Sequence, residues 1–423
     1  MPQILPFRGI RYTPRAGEFS DLLAPPYDVI SPAQQAALAA RNEHNAVRLE
    51  LAEGGDERYE RVANLVRSWT EEGALAQDEL PMLYAYEQEF VEEGETFRRR
   101  ALLAAVEAQP WEEGAILPHE YTMSGPKEDR LKLLQATGVQ FSPVFMLARD
   151  RAGQLRQFLE ETMASRPADQ EAKTADGDHH RLWLIEASRF EMHRIAPLLS
   201  ETFTIADGHH RYETAVTYKQ GRLDAEGSLP RDHPARFALT AIVAADDPGL
   251  VIRPIHRIVP RKAPSDWLGT LSAQFAIEPL VGNPDAAELG ELVKHHPGFV
   301  IGLGLDGPDS KHWLVPMDVA GLSPTGHSET WAALGSNVLR YGVLEPLWGI
   351  DDDALRAGAV EYTHLTGEVV ERVEAGDAVG FLLSPVSVAD TLLLAEKHER
   401  MPQKSTFFHP KIGTGLVFYA LNP

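Results

Sequence analysis

Apolar residues recur along this chain with two periods. In some stretches they fall three to four residues apart, in others at every second position, and the mixture predicts an α/β protein. Residues 58–72 carry Val62, Leu65, Val66 and Trp69 at helical spacing. Residues 32–41 are predicted as a helix, with Ser31 as N-cap and Pro32 at the first helical position. Residues 83–91 and 97–106 flank Glu93-Gly94-Glu95 and predict a β-hairpin. A helix is expected over 126–137, stopped by Gly138. Strands are expected at 47–51, 141–148, 182–186 and 203–206, the last leading into a helix from His209 to about Gln220. The polar stretch 151–178 predicts a helix followed by a loop.

Beyond Pro260 the pattern becomes an even mixture of strands and helices with many Gly and Pro turns. Together with a length of 423 residues, this divides the chain into an expected N-terminal domain, 1–260, and a C-terminal α/β domain, 261–423. The longest apolar run, 237–245, is too short to span a bilayer. The opening MPQILPFRGIRY lacks the apolar core of a secretory signal, so a cytoplasmic protein is expected. With 40 basic and 62 acidic side chains the net charge is −22. Such a chain repels phosphate backbones and anionic lipid, and neither nucleic acid nor membrane is expected as a partner. There is no cysteine, which removes disulfides, thiolate metal sites and cysteine nucleophiles.

In an acidic chain the informative positions run against the average. Asp207-Gly208-His209-His210-Arg211 stands where a strand ends and a helix begins. A helix N-terminus already carries partial positive charge and unpaired N–H groups, so a basic triplet there is locally unfavourable. A bound anion reverses the sign, because backbone donors, dipole and side chains then converge on it. Asp207 could cap the helix, orient a histidine or help hold Mg²⁺. A plain N-cap with neutral, exposed histidines accounts for the aspartate but not for the triplet behind it. Zinc is a second alternative, although adjacent histidines diverge on a helix.

Residues 117–130 form a second place of interest. His119-Glu120 begins like HExxH, but Met123 breaks that pattern. Lys127 lies in the first turn of the following helix, with Glu128 and Asp129 compensating it. A third place is the C-terminal stretch 400–423, which holds no Asp or Glu and gathers Lys404, Ser405, Thr406, His409 and Lys411. Two other matches are discounted. Gly302 to Gly307 fits GxGxxG but runs into another strand-like stretch, which predicts a hairpin. Arg98 to Arg100 lies opposite acidic residues 87–93, which predicts cross-strand charge pairing.

PFRGIRY (6–12), APPYDVIS (24–31), HEYT and PKEDR within 119–130, ADGHHRYETA (206–215) and MPQKSTFFHPKIGTGLVF (401–418) together resemble the DUF1015 family of uncharacterised bacterial and archaeal proteins. The DGHHR segment alone is similar to the phosphate-binding motif of the ParB/sulfiredoxin-like superfamily, and most of all to its free-serine kinases. That resemblance implies a ParB/sulfiredoxin-like N-terminal domain with insertions. It implies a phosphate cradle of Gly208, His209, His210 and Arg211, with Asp207 as a Mg²⁺ ligand and a nucleotide, ATP or ADP, as cofactor. Glu50, on the expected strand 47–51, is the candidate base, with Glu120 its competitor. Lys127, Arg130 and Lys404 are expected to approach the phosphates from the opposite side. His119, Glu120, Ser405 and Thr406 are candidates for the substrate pocket, with the acid-free tail returning to the cleft.

The function so implied is transfer of phosphate from a nucleotide to a small hydroxylated metabolite such as free serine. Two alternatives stay open: a nucleotide-binding switch without turnover, and a phosphatase or nucleotide hydrolase using the same anion site. Oligomeric state is likewise open, a homo-oligomer included.

Overall fold

The computed structural model describes residues 2–121, 124–196 and 202–422; Met123, which breaks the HExxH spacing, lies outside them. The chain is a mixed α/β protein that separates into two compact units. The first holds residues 2–118, 124–250 and 410–422, and the second holds 119–121 and 251–409. The separation falls ten residues before the Pro260–Pro264 stretch. Val251–Arg253 already pairs with Phe407–His409, and the next strand, His256–Val259, belongs to the second unit's sheet. Residues 410–422 belong to the first unit.

A nine-stranded sheet is the frame of the first unit. Its strands, in chain order, are β1 (Ile4–Leu5), β2 (Met82–Glu92), β3 (Glu95–Glu107), β4 (Ile116–Leu117), β5 (Val144–Ala148), β6 (Gln170–Lys173), β7 (His179–Glu186), β8 (Phe203–Asp207) and β9 (Phe237–Ala244). Spatially they run β4-β8-β5-β9-β3-β2-β7-β6, with β1 beside β3. Two pairings, β4–β8 and β5–β9, are parallel and the rest antiparallel. Every residue of β9 is buried, as its sequence, apolar at all positions but Thr240, requires of a central strand.

The β2–β3 hairpin forms as expected, and its register sets Glu87 opposite Arg100 and Glu89 opposite Arg98. Both pairs close as ion pairs. Arg99, on the other face of the strand, is 1 % exposed. The stretch 151–178 departs from expectation, since its second part contains β6, which pairs with β7.

The helices that concern the site are α1 (Pro32–Arg41), α2 (Val47–Glu50), α3 (Glu57–Glu71), α4 (Ser124–Thr137), α5 (Gln154–Ser165) and α6 (His209–Glu226). Ser31 and Gln34 close a capping box on α1. Residues 47–51 are not the expected strand. Asn45 accepts the Val47 amide at 2.9 Å, the Leu51 amide reaches the Val47 carbonyl at 2.8 Å, and the segment closes into one helical turn. Val47, Leu49 and Glu50 are all buried, so five alternating positions could not separate a strand from a buried turn.

The second unit is built on an antiparallel six-stranded sheet of β10 (His256–Val259), β11 (Phe275–Pro279), β12 (Val300–Leu303), β13 (Lys311–Pro316), β14 (Glu361–Thr363) and β15 (Val379–Leu383), in the order β11-β13-β12-β15-β10-β14. The GxGxxG match is the turn of the β12–β13 hairpin, as expected. No helix among the described residues is long and apolar enough to cross a membrane.

Candidate functional site

The junction between β8 and α6 is made by a bulge and a glycine. Ile205 pairs with Met146 and Asp207 with Phe145, so Ala206 is an extra residue in the strand. Gly208 then takes φ +87°, and a Cβ there would stand 2.9 Å from Arg211 Nε. A side chain is excluded by both backbone and space. Gly208 is the N-cap of α6, with no side chain capping it. The capping role considered for Asp207 is therefore not realised.

The Asp207 carboxylate turns to two cations. Arg211 Nη2 donates to Oδ2 at 2.6 Å, and Lys411 Nζ donates to Oδ1. Burial alone would raise this carboxyl; Lys411 and Arg211 outweigh it and hold the group well below the usual carboxylate range. Arg211 also donates to the Pro143 carbonyl. Its burial is opposed by Asp207, then Asp28, Tyr27 and Glu50, and the guanidinium is held above its ordinary value. His209 is buried and His210 half-buried on the first turn of α6.

A second charged group is held by α2 and α4. Arg130 Nη1 donates to the Glu50 carboxylate and to the Glu50 carbonyl, each at 2.9 Å. Its guanidinium lies 4.1 Å from the centre of the Tyr27 ring. Asp129 receives Arg130, Arg58 and the Tyr59 hydroxyl. Burial pushes the Tyr27 phenol well above its usual range, with Asp28 adding to it.

The two groups share a space. A cavity of about 50 Å³ is lined by Glu50, Arg130, Ser142, Arg211 and Thr214, with Leu133 and Phe141 among its apolar walls. A second cavity, of about 280 Å³, borders Glu50 and Arg130 again and adds Arg58, Tyr59 and Asp129. Lys127 pairs with Glu213, an ordinary bridge between α4 and α6.

The remaining candidates gather in the second unit. His119 is fully buried, and its Nε2 meets the Thr406 hydroxyl at 2.8 Å. Glu120 bridges to Met401, and Ser405 donates to the Pro402 carbonyl at 2.7 Å. Lys404 is exposed, and its carbonyl accepts Arg257 at 2.8 Å. The structure thus sorts the candidates into two groups: Glu50, Lys127, Arg130 and Asp207 to Arg211 in the first unit, and His119, Glu120 and Lys404 to Thr406 in the second.

The family model for DUF1015, described as a protein of unknown function, matches residues 4–318. The chain belongs to this family. A free serine kinase variant in complex with ADP is similar to this DUF1015 chain at 14 % identity and a TM-score of 0.37, over 74 % of this chain and 92 % of that one. A conserved hypothetical protein from Pyrococcus furiosus is similar at 15 % identity and a TM-score of 0.33, over 74 % and 95 %. SbnI with a C-terminal truncation, from Staphylococcus aureus, is similar at 12 % identity and a TM-score of 0.36, over 74 % and 86 %. No curated protein matches the sequence.

Mg²⁺ fits Asp207 poorly in this DUF1015 chain. One carboxylate oxygen is taken by Arg211 and the other by Lys411. Among the described residues no three His, Asp or Glu side chains gather as a metal-holding group. Two residues at the site carried no role in the sequence reading. Lys411 was visible only as part of an acid-free stretch, and Tyr27 only as the residue after two prolines.

Proposed function

We propose that the first unit transfers phosphate from a nucleotide, ATP or ADP, to a small hydroxylated metabolite, free serine foremost. One observation carries this reading: a carboxylate, Glu50, and two guanidiniums, Arg130 and Arg211, line the same cavity beside the start of α6. Phosphoryl transfer needs positioning and charge neutralisation more than covalent chemistry. Arg211, His210 and the first amides of α6 supply donors for the phosphates. The acceptor hydroxyl oxygen forms a bond to phosphorus as the bond to the nucleotide's leaving oxygen breaks, and the hydroxyl proton passes to Glu50. Arg130 fixes that carboxylate in place through its 2.9 Å ion pair. A protein-held metal at Asp207 has no part in this reading.

The test is a panel of ATP, ADP, CTP and pyrophosphate donors against serine, threonine, homoserine and sugars, with product masses read by mass spectrometry. A phosphorylated acceptor is expected from one donor–acceptor pair. Glu50→Gln should keep donor affinity and lower turnover on the order of 10²–10⁴-fold, the range for loss of a general base. Full turnover in that variant overturns the base assignment. Saturable nucleotide binding with no product across the panel replaces transfer with a nucleotide-binding switch. Phosphate release independent of any acceptor replaces it with hydrolysis.

A further inference from the structure

Residues 410–414 of the first unit are held by several buried polar side chains. Arg99, 1 % exposed, lies 4.9 Å over the Phe145 ring and donates from Nη2 to Gln88 at 2.6 Å and to the Pro410 carbonyl at 2.5 Å. Gln88, equally buried, donates to Asp178 at 2.9 Å and to the Lys411 carbonyl at 3.3 Å. The Gly413 amide bonds to the Tyr86 phenol, which meets His180 Nδ1 at 2.7 Å. Thr414 and Ala24 exchange backbone bonds at 3.1 and 2.7 Å. Residues 410–414 are thereby fixed by side chains of β2 and β3 and by the backbone just before Tyr27. The outcome is that the Lys411 ammonium sits on Asp207, with only 10 % of its side chain exposed.

Asp207 therefore answers two cations, Arg211 and Lys411, with a single charge. Asp28 and Glu50 act on Arg211 from elsewhere, and Arg130 answers Glu50. We infer that Lys411 is a phosphate-binding residue: it rests on Asp207 until a nucleotide arrives and then turns its ammonium to a donor phosphate. This inference rests on the phosphotransferase reading above and assigns a further residue to its anion site. A lysine suits the task, being a compact charge on a flexible stem that can exchange one acceptor for another. Arg99, Gln88 and Tyr86 are its positioning residues, since they hold the backbone from which that stem springs.

Calorimetric titration of the full chain with ADP, ATP and pyrophosphate tests it. If the native protein binds none of the three, the anion-site reading itself falls, whatever Lys411 does. If it binds, Lys411→Met should weaken the interaction on the order of tenfold or more, as loss of a charged hydrogen bond to phosphate does. The double variant Asp207→Asn with Lys411→Met separates binding from neutralisation and keeps the charge balance should the single variant fold poorly. Continued weak binding in it supports direct contact; recovery of native affinity overturns the inference and leaves Lys411 as a counterion. Gln88→Leu should weaken binding when Lys411 is present and add nothing in Lys411→Met, the non-additivity of residues acting as one unit. Full additivity of the two removes the positioning role.

Discussion

Arg211 in the first unit and Arg257 in the second are both arginines withdrawn from water, and their surroundings treat the charge in opposite ways. Arg211 meets the Asp207 carboxylate at 2.6 Å, and its guanidinium is held above the ordinary arginine value. Arg257 donates to the carbonyls of Ile255 and Lys404 and lies 4.6 Å from the Tyr362 ring. Burial drives it down to about 10, with Tyr362 and Glu120 countering only in part. Carbonyl dipoles and a ring fix the Arg257 guanidinium in space without a carboxylate against it, whereas Arg211 has its burial offset by a full opposite charge; both stay protonated near neutral pH. A charge that faces a carboxylate at the mouth of the proposed site can serve an incoming anion. A charge held by backbone carbonyls works as a strut.

Three experiments break or sharpen this contrast. The largest effect is expected from Arg211→Ala, which should weaken nucleotide binding by roughly 100-fold, about 2.7 kcal/mol, measured by titration calorimetry. Near-native affinity would place Arg211 with the struts. Next, Arg257→Met removes the donor to the buried Ile255 carbonyl and to the Lys404 carbonyl and should lower stability by about 2 kcal/mol in denaturant unfolding. Its nucleotide affinity should stay within about twofold of native, because Arg257 has no place in the proposed anion site. A large loss of affinity would erase the distinction between the two arginines.

The smallest effect comes from two neutral histidines. Burial lowers His180 in the first unit to about 4 and His256 in the second to about 3. Below pH 6.5 the unfolded chain takes up a proton at each that the folded chain refuses. Stability is therefore present above that pH and lost as pH falls toward the folded values. At pH 5.5 each should cost about 1 kcal/mol, and His256→Asn should flatten its share of the slope in pH-dependent unfolding. An unchanged slope would show that His256 gains a partner on protonation.

Much of the framework was readable from local pattern. The β2–β3 hairpin, the α1 capping box, the stop at Gly138 and the strand–glycine–helix junction at Gly208 each depend on residues only a few positions apart. The charge ladder of Arg98 and Arg100 was readable for the same reason. Arg99 was not, because alternation on a strand says that it faces away from its neighbours but not that residues 410–413 cover it. Lys411 and Asp207 lie 204 positions apart, and no spacing rule connects such a pair. Residues 47–51 misled because five positions satisfy both periods, and the turn was decided by Asn45, just before the segment. Glu50 lines the cavity from a helical turn and not from the expected strand.

The bulge at Ala206 makes the chain between Phe203 and Arg211 a fixed ruler. Deleting one residue there would restore plain pairing with β5 and swing the Asp207 carboxylate to the opposite side of the sheet, away from Lys411. Within this stretch the number of residues, as much as their identity, sets where Asp207 points. A family member that differs in length at this junction is expected to lose the Asp207–Lys411 pairing even when it keeps every residue of the motif.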